Sequence, residues 1–330
     1  MMSVTVNDVA QACGLPVSLV TRILNDETKE EERQAVWDAA RRLGYSAEKD
    51  SSLNYNLGVL FTDESDQGLQ HPFFANIVNS FKTRAEHRGY DLTFIGHQTP
   101  NYLEHCKRRQ VDGVALVCIQ FDSPDVQALL DSDFPCVTID YQSKKHPNVS
   151  SDNTSGVKML VDYAVSMGHR RIAFIHGHRN SAVTESRIAQ FIESMKAHHL
   201  PLPDEYLVSG LYDTPSVVSA EVEKLINCPL RPTCILLPDD ATYFAARQTI
   251  QAHELRVPSD ISLAGYDGTR LMESLRPRLT TIFQDGAAMG REAADRLIWQ
   301  VEHPDQPIIN PVIVPVTLIK GDTVGWCNDW

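Results

Sequence analysis

The sequence predicts two unlike parts: a small all-α helix-turn-helix headpiece and an α/β core of two doubly wound parallel-sheet subdomains. Three observations lead to this prediction. Residues 1–50 carry apolar side chains at helical spacing on either side of a Gly-containing turn. From Leu57 onward, short apolar runs alternate with helical stretches. The length of 330 residues corresponds to about two domains.

Composition and charge exclude several classes of protein. With 42% hydrophobic and 22% charged residues the chain is neither disordered nor fibrous, and no apolar run approaches the ~20 residues of a membrane helix. Residues 1–8 lack the basic and apolar regions of a secretory signal. The seven cysteines are scattered without CxxC spacing, which is typical of free thiols in a reducing cytoplasm. The net charge of −13 gives no global indication of nucleic-acid binding.

The first helix is predicted from its N-terminal signal. Thr5 and Asp8 fit a capping box, in which each side chain bonds to the other residue's backbone N–H. The predicted helix has one apolar face, formed by Val6, Val9, Ala10 and Cys13.

Two more helices complete the predicted headpiece. Gly14 ends the first helix, and Pro16 starts a second over about Val17–Leu24. A third is predicted over about 30–43, ended by Gly44. Its predicted buried stripe consists of Val36, Ala39, Ala40 and Leu43. Three short helices around one small core predict a DNA-reading headpiece, although a purely structural helix pair has the same pattern.

The charge of the headpiece is unfavourable for DNA binding. Residues 1–50 contain six Lys and Arg against nine Asp and Glu, a net charge of −3. Neutralisation of DNA phosphates supplies most of the non-specific affinity for DNA. We therefore expect the non-specific binding of the headpiece to DNA to be weak.

The core is predicted from recurring strand and helix patterns. Apolar runs typical of buried parallel strands lie at Leu57–Phe61, Asp91–Ile95, Val114–Ile119, Cys136–Ile139, Ile172–Ile175, Cys234–Leu237 and Ile261–Ala264. Helical stretches lie between them at Phe74–Arg88, Thr154–Ser166, Ile188–His198, Ser216–Ile226 and Tyr243–His253. This number of units fits two sheets better than one.

Enzyme and metal motifs are absent from the sequence. It contains no G-x-x-x-x-G-K-[ST], G-x-G-x-x-G, G-x-S-x-G or H-E-x-x-H. His169 and His176 flank one predicted strand without a third ligand at suitable spacing, and adjacent Asp239 and Asp240 point in different directions. We therefore expect no catalytic residues, no metal and no cofactor.

The headpiece resembles that of the LacI/GalR family of bacterial transcription regulators. The similar segments are Val4–Ala10, Val20–Asn25 and Leu43–Tyr45. The resemblance implies that the second helix enters the major groove, where Val17 and Ser18 face base edges and Arg22 makes a bidentate contact with guanine. It also implies phosphate contacts, made by Thr5, Thr21 and Asn25.

The chain departs from the family pattern in two places. Pro16 replaces the usual Ser, which removes a hydroxyl and an N–H. The family's hinge helix, whose leucine wedges into the minor groove, begins with Pro-Asn, whereas residues 46–56 here lack that pair and include Glu48 and Asp50. Leu53 is a candidate for a displaced wedge. The alternative that we favour is a flexible polar linker.

The resemblance extends along residues 57–330. The most specific segments are Gly168–Ile175 and Arg256–Asp267. They imply a periplasmic-binding-protein-like core, with an N-subdomain of about 57–152 and 285–316 and a C-subdomain of about 153–284 and 317–330. The chain would cross between the subdomains near Asn153, Gln284 and Thr317, and an effector would bind in the cleft at the carboxyl ends of the strands.

The resemblance also implies the effector-binding residues. Arg187 matches the family's effector-clamping arginine, and Asp267 matches the acceptor of sugar hydroxyls. Phe73 and Tyr212 are candidate stacking rings, whereas Phe74 is expected to pack inside. The remaining candidates in the cleft are Asp140, Asp239 and Gln284.

Two further departures bear on the effector. Asp239 stands where the family has an amide, and Tyr141 stands where it commonly has an arginine. Both changes make the cleft more acidic, which favours an effector that is cationic or rich in hydrogen-bond donors over an anionic one.

These observations predict a cytoplasmic, dimeric, effector-controlled transcription regulator, a repressor that binds a DNA operator and a small sugar-like ligand. The first alternative is a small-molecule-binding protein of the same family with weakened or lost operator binding. A sugar-acting enzyme would need a nucleophile and base that are not visible. A transport binding protein would need a signal peptide.

Overall fold

The computed structural model describes residues 4–24, 36, 39, 40, 43, 52–61, 69, 71–96, 101–119, 121–179, 181–212, 214–306 and 310–327. The chain divides into two compact units. Residues 1–55 with 87–89 form the first, and 56–86 with 90–330 form the second.

The first unit begins with helix α1, Val6–Cys13. Its capping box forms as predicted: the Thr5 N–H donates to Asp8 Oδ2 over 2.7 Å, and the Asp8 N–H donates to Thr5 Oγ1 over 3.4 Å. Gly14 ends the helix at φ 67°, a left-handed conformation that glycine adopts without steric cost.

Helix α2 covers Val17–Leu24, as predicted. Its inner side is fully buried at Val20 and Ile23, which join one cluster with Val9, Ala10, Val36, Ala39 and Ala40. Leu43, which we expected in this buried stripe, is 40% exposed, so that expectation was wrong. The rest of the predicted third helix, and residues 46–51 of the linker, lie outside the described residues.

The second unit contains two six-stranded sheets. The first has the order β11-β5-β4-β3-β1-β2, and all its pairings are parallel. Its strands are β1 (Asn56–Phe61), β2 (Asp91–Ile95), β3 (Gly113–Val117), β4 (Cys136–Ile139), β5 (Asn148–Ser151) and β11 (Val312–Val314). The helices of this half are α3 (Pro72–His87), α4 (Tyr102–Arg108), α5 (Pro124–Asp131) and α11 (Gly286–Glu302).

The second sheet has the order β12-β10-β9-β8-β6-β7. Its strands are β6 (Ile172–His176), β7 (Leu207–Ser209), β8 (Cys234–Leu236), β9 (Ser262–Asp267), β10 (Thr280–Gln284) and β12 (Val316–Ile319). The helices of this half are α6 (Asn153–Ser166), α7 (Ala182–Ala197), α8 (Pro215–Ile226), α9 (Tyr243–Ala252) and α10 (Arg270–Glu273). One apolar cluster lies on each face of this sheet.

The chain passes between the sheets three times. The first passage joins β5 to α6, the second joins β10 to α11, and the third joins β11 to β12 through Pro315. We expected the third crossing near Thr317. Because Val316 already pairs with Gln284 in the second sheet, the crossing lies at Pro315, two residues earlier.

The two-sheet α/β prediction is confirmed, and strands 91–95 and 136–139 have the predicted bounds. The prediction missed the strands β5, β7, β10, β11 and β12, and the helices α4, α5, α10 and α11 were not among its examples. The missed strands are short or rich in Ser and Thr, so they lack the continuous apolar run by which the others were found. Helix α7 begins at Ala182, six residues before its predicted start. No helix among the described residues is long and apolar enough to span a membrane.

Candidate functional site

The predicted effector residues lie where strands of the second unit end. Asp140 directly follows β4, and Asp239 lies three residues after β8. Asp267 and Gln284 are the last residues of β9 and β10. Since parallel strands end at the same edge of a sheet, this arrangement forms the cleft edge that open α/β sheets use for ligands.

Arg187, on α7, is the centre of the site and is only 5% exposed. Its Nε donates to Asn153 Oδ1 over 2.8 Å, and its Nη1 donates to the Pro238 carbonyl over 3.3 Å. The guanidinium lies 3.6 Å from the centre of the Tyr266 ring, a close cation–π contact.

The surroundings keep Arg187 charged. Burial by itself lowers the pKa of the guanidinium, but Tyr212, Tyr266, Asp267 and Asp140 raise it, and the net shift is upward. A buried cation among these groups is a fixed hydrogen-bond donor for a ligand.

Asp267 and Gln284 form the acceptor side of the site. Gln284 Nε2 donates to Asp267 Oδ1 over 2.7 Å. Gln284 Oε1 is buried and has no hydrogen-bond partner within the described part of the protein. A buried acceptor without a partner has a free-energy cost, which a donor group of a ligand would remove.

Asp140 lies at the end of the first sheet, with φ at 57°. Its Oδ1 accepts the backbone N–H of Ser151 over 3.3 Å. Burial raises the pKa of Asp140 to about 6, although Arg187 and the Ser151 N–H act in the opposite direction. The carboxyl group therefore changes charge near pH 6.

Tyr212 lies beside Arg187, with its ring centre 5.9 Å from the guanidinium carbon. Its hydroxyl and the Thr184 hydroxyl are 2.8 Å apart. The ring lies directly against Gly177, where a side chain would overlap it. Glycine at this position therefore allows the Tyr212 ring to lie close to the backbone.

Asp239 and Asp240 are held inside the protein. Asp239 Oδ1 accepts the Thr242 N–H over 2.9 Å. Asp240 accepts the Thr269 N–H over 2.7 Å and the Thr281 hydroxyl over 2.6 Å. Burial, together with the nearby Asp267, raises the pKa of Asp240 well above its usual range. The additional carboxylate that we expected at Asp239 is thus hydrogen-bonded to the loop backbone.

The two phenylalanines differ from the expectation. Phe73 is 7% exposed, whereas Phe74 is partly exposed and contacts the rings of Phe61 and His71. We expected Phe73 to offer its ring to a ligand and Phe74 to pack inside. The observed burial favours Phe74 as the more accessible ring.

The headpiece has an exposed polar side. Val17 is 45% exposed, and Thr5, Ser18 and Thr21 are also exposed. The Thr21 hydroxyl donates to the Val17 carbonyl over 2.9 Å, which leaves its lone pairs outward. The side chain of Arg22 and all of Asn25 lie outside what the structure describes.

Sequence reasoning missed Asn153 and Tyr266 as parts of the site. Tyr266 immediately precedes Asp267, and Asn153 lies at the predicted first crossing, so both positions were noted without a role. Their contacts with Arg187 depend on the packing of α7 and leave no local pattern in the sequence. Within the described ranges no group of His, Cys, Asp and Glu is arranged to hold a metal ion.

Comparison with known proteins agrees with this architecture. Residues 161–324 match the periplasmic binding protein-like domain family. The chain is 28% identical over 332 residues to the HTH-type transcriptional repressor PurR of Escherichia coli O139:H28, covering 94% of this chain and 95% of PurR. It is 26% identical to the probable HTH-type transcriptional repressor ExuR of Bacillus subtilis, covering 92% and 93%.

Solved structures share this fold. A putative LacI transcriptional regulator from Bacillus cereus is 27% identical, with a TM-score of 0.74 over 81% of this chain and 97% of that one. The transcriptional regulator CelR in complex with cellobiose is 23% identical, with a TM-score of 0.73 over 97% and 99%. The lac repressor dimer bound to operator is 24% identical, with a TM-score of 0.69 over 98% and 100%.

A helix-turn-helix unit joined to a two-sheet ligand-binding core defines the class of one-chain, ligand-responsive transcription regulators. Within that class, the domain match over residues 161–324 and the similarity to PurR and ExuR along nearly the whole chain support a regulator of the LacI/GalR type. The named relatives are transcriptional repressors and not enzymes, in agreement with the sequence prediction.

Proposed function

We propose that this protein is a sequence-specific transcriptional repressor whose operator binding is controlled by a small polar effector. The observation that carries the proposal is the presence, in one chain, of an exposed helix-turn-helix face and a core site centred on buried Arg187. The full-length similarity to PurR and ExuR, both named as repressors, supports it.

The operator-binding face is proposed to be one side of α2. Val17 and Ser18 face base edges, Arg22 contacts guanine, and Thr5, Thr21 and Asn25 hold phosphates. The exposure of Val17, Ser18 and Thr21, opposite the buried Val20 and Ile23, supports this assignment.

The effector is proposed to be a sugar or sugar derivative in the cleft. A sugar hydroxyl both donates and accepts, so it suits a site that places the Arg187 donors beside the Asp267 and Gln284 acceptors. Asp140 follows a strand of the first sheet, Asp239 follows a strand of the second, and Tyr212 offers an aromatic ring. The cellobiose complex of CelR supports this ligand class.

The working assembly is proposed to be a cytoplasmic homodimer. A two-fold dimer presents two copies of α2 to a pseudo-palindromic operator. The lac repressor, which shares the fold, is described as a dimer on its operator.

Selection from a random duplex pool at ~50 mM salt tests operator binding, because low salt favours weak phosphate contacts. We expect one enriched pseudo-palindrome. Arg22→Ala should weaken binding to that operator by roughly 1–3 kcal/mol and relax the preference at one base pair, whereas Gln11→Ala, on the exposed side of α1, should leave it unchanged. If nothing is enriched, the alternative of a ligand-binding protein without operator function replaces the proposal.

Thermal unfolding with a panel of neutral mono- and disaccharides, uronic acids and purine bases tests the effector site. A neutral sugar at about 100 times its Kd should stabilise the core by roughly 2.7 kcal/mol. Arg187→Ala should abolish that response. Stabilisation by a purine base alone would contradict the sugar assignment, while the operator selection would still stand.

A further inference from the structure

A continuous hydrogen-bonded path leads from the first crossing to the guanidinium of Arg187. Asp140 Oδ1 accepts the backbone N–H of Ser151 over 3.3 Å. The Ser151 carbonyl accepts from Asn153 Nδ2 over 3.2 Å, and Asn153 Oδ1 accepts from Arg187 Nε over 2.8 Å. Ser151 ends β5 in the first sheet, whereas Arg187 belongs to the second half, so the path joins the two.

Asn153 is well placed to be the link in this path. It is the buried first residue of α6, and the preceding Asp152 caps that helix by accepting the Ser155 N–H over 2.9 Å. The start of the helix therefore fixes the position of Asn153. The Asn153 side-chain amide donates through Nδ2 to the Ser151 carbonyl and accepts through Oδ1 from Arg187. An ionised Asp side chain has the same length but only accepts hydrogen bonds, so it cannot make both contacts.

The orientation of Arg187 depends on three contacts. The Tyr266 ring supports the plane of the guanidinium, the Pro238 carbonyl holds Nη1, and Asn153 holds Nε. Tyr266 and Pro238 both belong to the second half of the core. Asn153 alone among these three is also bonded to the first sheet, so a rotation of the guanidinium is transmitted to Ser151 through it.

We propose that Asn153 is a positioning residue that couples the ligand-holding Arg187 to the first crossing, and thereby couples effector binding to the relative position of the two halves. The inference rests on the proposed function, because the ligand held by Arg187 is the proposed effector. In this proposal the Ser151–Asn153–Arg187 hydrogen-bonded path has two states, one in which its hydrogen bonds are formed and one in which they are broken.

The functional test uses full-length protein and the operator obtained by selection. Asn153→Ala and Arg187→Lys should each change operator Kd by at least about fivefold, the lower end of ordinary coupling between sites. Because both act on one path, the double variant should resemble either single variant. Thr154→Ala, an exposed neighbour on the same turn of α6, is the matched control and should change nothing.

Asn153→Asp separates coupling from folding. An Asp side chain keeps an acceptor for Arg187 Nε but loses the donor toward the Ser151 carbonyl. We expect it to unfold at a temperature nearer wild type than Asn153→Ala does, and yet to show the same loss of coupling. If Asn153 had only a structural role, Asn153→Asp would restore the operator Kd together with the unfolding temperature. That result would overturn the proposal.

Hydrogen exchange measured by mass spectrometry tests the path without DNA or effector. Arg187→Lys should speed exchange in the peptide covering β5 and the first crossing, and it should have no further effect in the Asn153→Ala background. Equal effects in both backgrounds, or multiplicative changes in operator Kd, would contradict the inference. If wild type selects no operator, the proposed function fails, and the exchange measurement still decides whether the coupling exists.

Discussion

The two halves of the core repeat one strand order but differ in their last strand. Relabelled along the chain, both sheets place the fifth, fourth, third, first and second strands side by side, with one further strand at the edge. That edge strand is parallel in the first sheet, as β11, and antiparallel in the second, as β12. β11 and β12 are consecutive parts of one extended segment. This segment runs toward the cleft in the first sheet and away from the cleft in the second, so its direction relative to the neighbouring strand is reversed.

The halves also differ in what they bring to the site. The second half supplies Arg187, its Tyr266 support, Tyr212 and Asp267, whereas Asp140 is the main polar group from the first half. This difference indicates a division of work within one architecture. The second half fixes the Arg187 guanidinium among its neighbours, and the first half contributes the Asp140 carboxyl group, which accepts the Ser151 N–H.

The largest expected difference between the halves concerns close packing at glycine. At Gly156 a Cβ would overlap the Tyr266 hydroxyl, and Tyr266 is held in place by Arg187. At Gly58 in β1, a Cβ would lie 3.1 Å from Ile95 Cγ1 and 3.2 Å from Val114 Cγ2, so a shift of a few tenths of an ångström would relieve the contact. Gly156→Ala should lower the free energy of unfolding of the core by about 3 kcal/mol, and Gly58→Ala by about 1 kcal/mol. Chemical denaturation of the two variants checks this, and equal losses would contradict the rigid-half interpretation.

The next effect is the acid sensitivity of the second half. His169 lies between the Thr233 hydroxyl at 2.9 Å and the Gly325 carbonyl at 3.1 Å, and burial lowers its pKa to about 4. Because this value is below the ordinary 6.5, the unfolded chain takes up the proton first, and stability falls as pH drops from 6.5 toward 4. His169 alone should account for a loss of about 3 kcal/mol over this range. His169→Gln should flatten this slope in unfolding experiments across the range, and a slope unchanged from wild type would rule out His169 as its origin.

Asp140, in the first half, should contribute to the pH dependence in the opposite direction to His169. The pKa of Asp140, about 6, lies above the ordinary value of 3.8, so its contribution to stability is present below 3.8 and is lost as pH rises through 6. Asp140→Asn keeps a residue type suited to φ 57° and should raise stability at pH 7 by about 1.5 kcal/mol. Comparing the variant with wild type at pH 5 and pH 7 checks this. A gain of the same size at both values would point to a cause other than titration.

The smallest effect is expected outside both halves. Thr5→Ala removes the capping box of α1 and should destabilise the headpiece by about 1 kcal/mol. Circular dichroism and denaturation should show an unchanged core transition, because Thr5 belongs to the other compact unit. Thr5→Ser keeps the hydroxyl acceptor and is the control. A shift of the core transition would show that the two units do not unfold separately.

Local patterns predicted much of the fold. The capping box, Gly14 and Pro16 delimited α1 and α2, since each of these signals acts within a few residues. The buried strands β2 and β4 were recognisable from continuous apolar runs. By contrast, β10 begins with two Thr and ends with Gln, and β12 has Thr317 after its first residue. Neither strand is a continuous apolar run, and they pair with each other.

The candidate site was predictable in its residue types but not in its contacts. The resemblance pointed to Arg187, Asp267 and Gln284. No pattern indicated that Asn153 and Tyr266 would hold the guanidinium, because residues 34 and 79 positions apart from Arg187 meet only when α6, α7 and β9 are packed. The exposure of Phe73 relative to Phe74 was also misjudged, since adjacent ring positions on a helix are distinguished only by what packs against them.

The sequence by itself determined the class of protein, the headpiece helices, the alternation of strands and helices, and the residue types at the cleft. These follow from local propensity and periodicity, which a linear chain records directly. Tertiary structure alone decided the buried hydrogen bonds of Asp239 and Asp240 and the Ser151–Asn153–Arg187 path. Those features depend on which distant backbone and side-chain groups satisfy each other's hydrogen bonds once water is excluded.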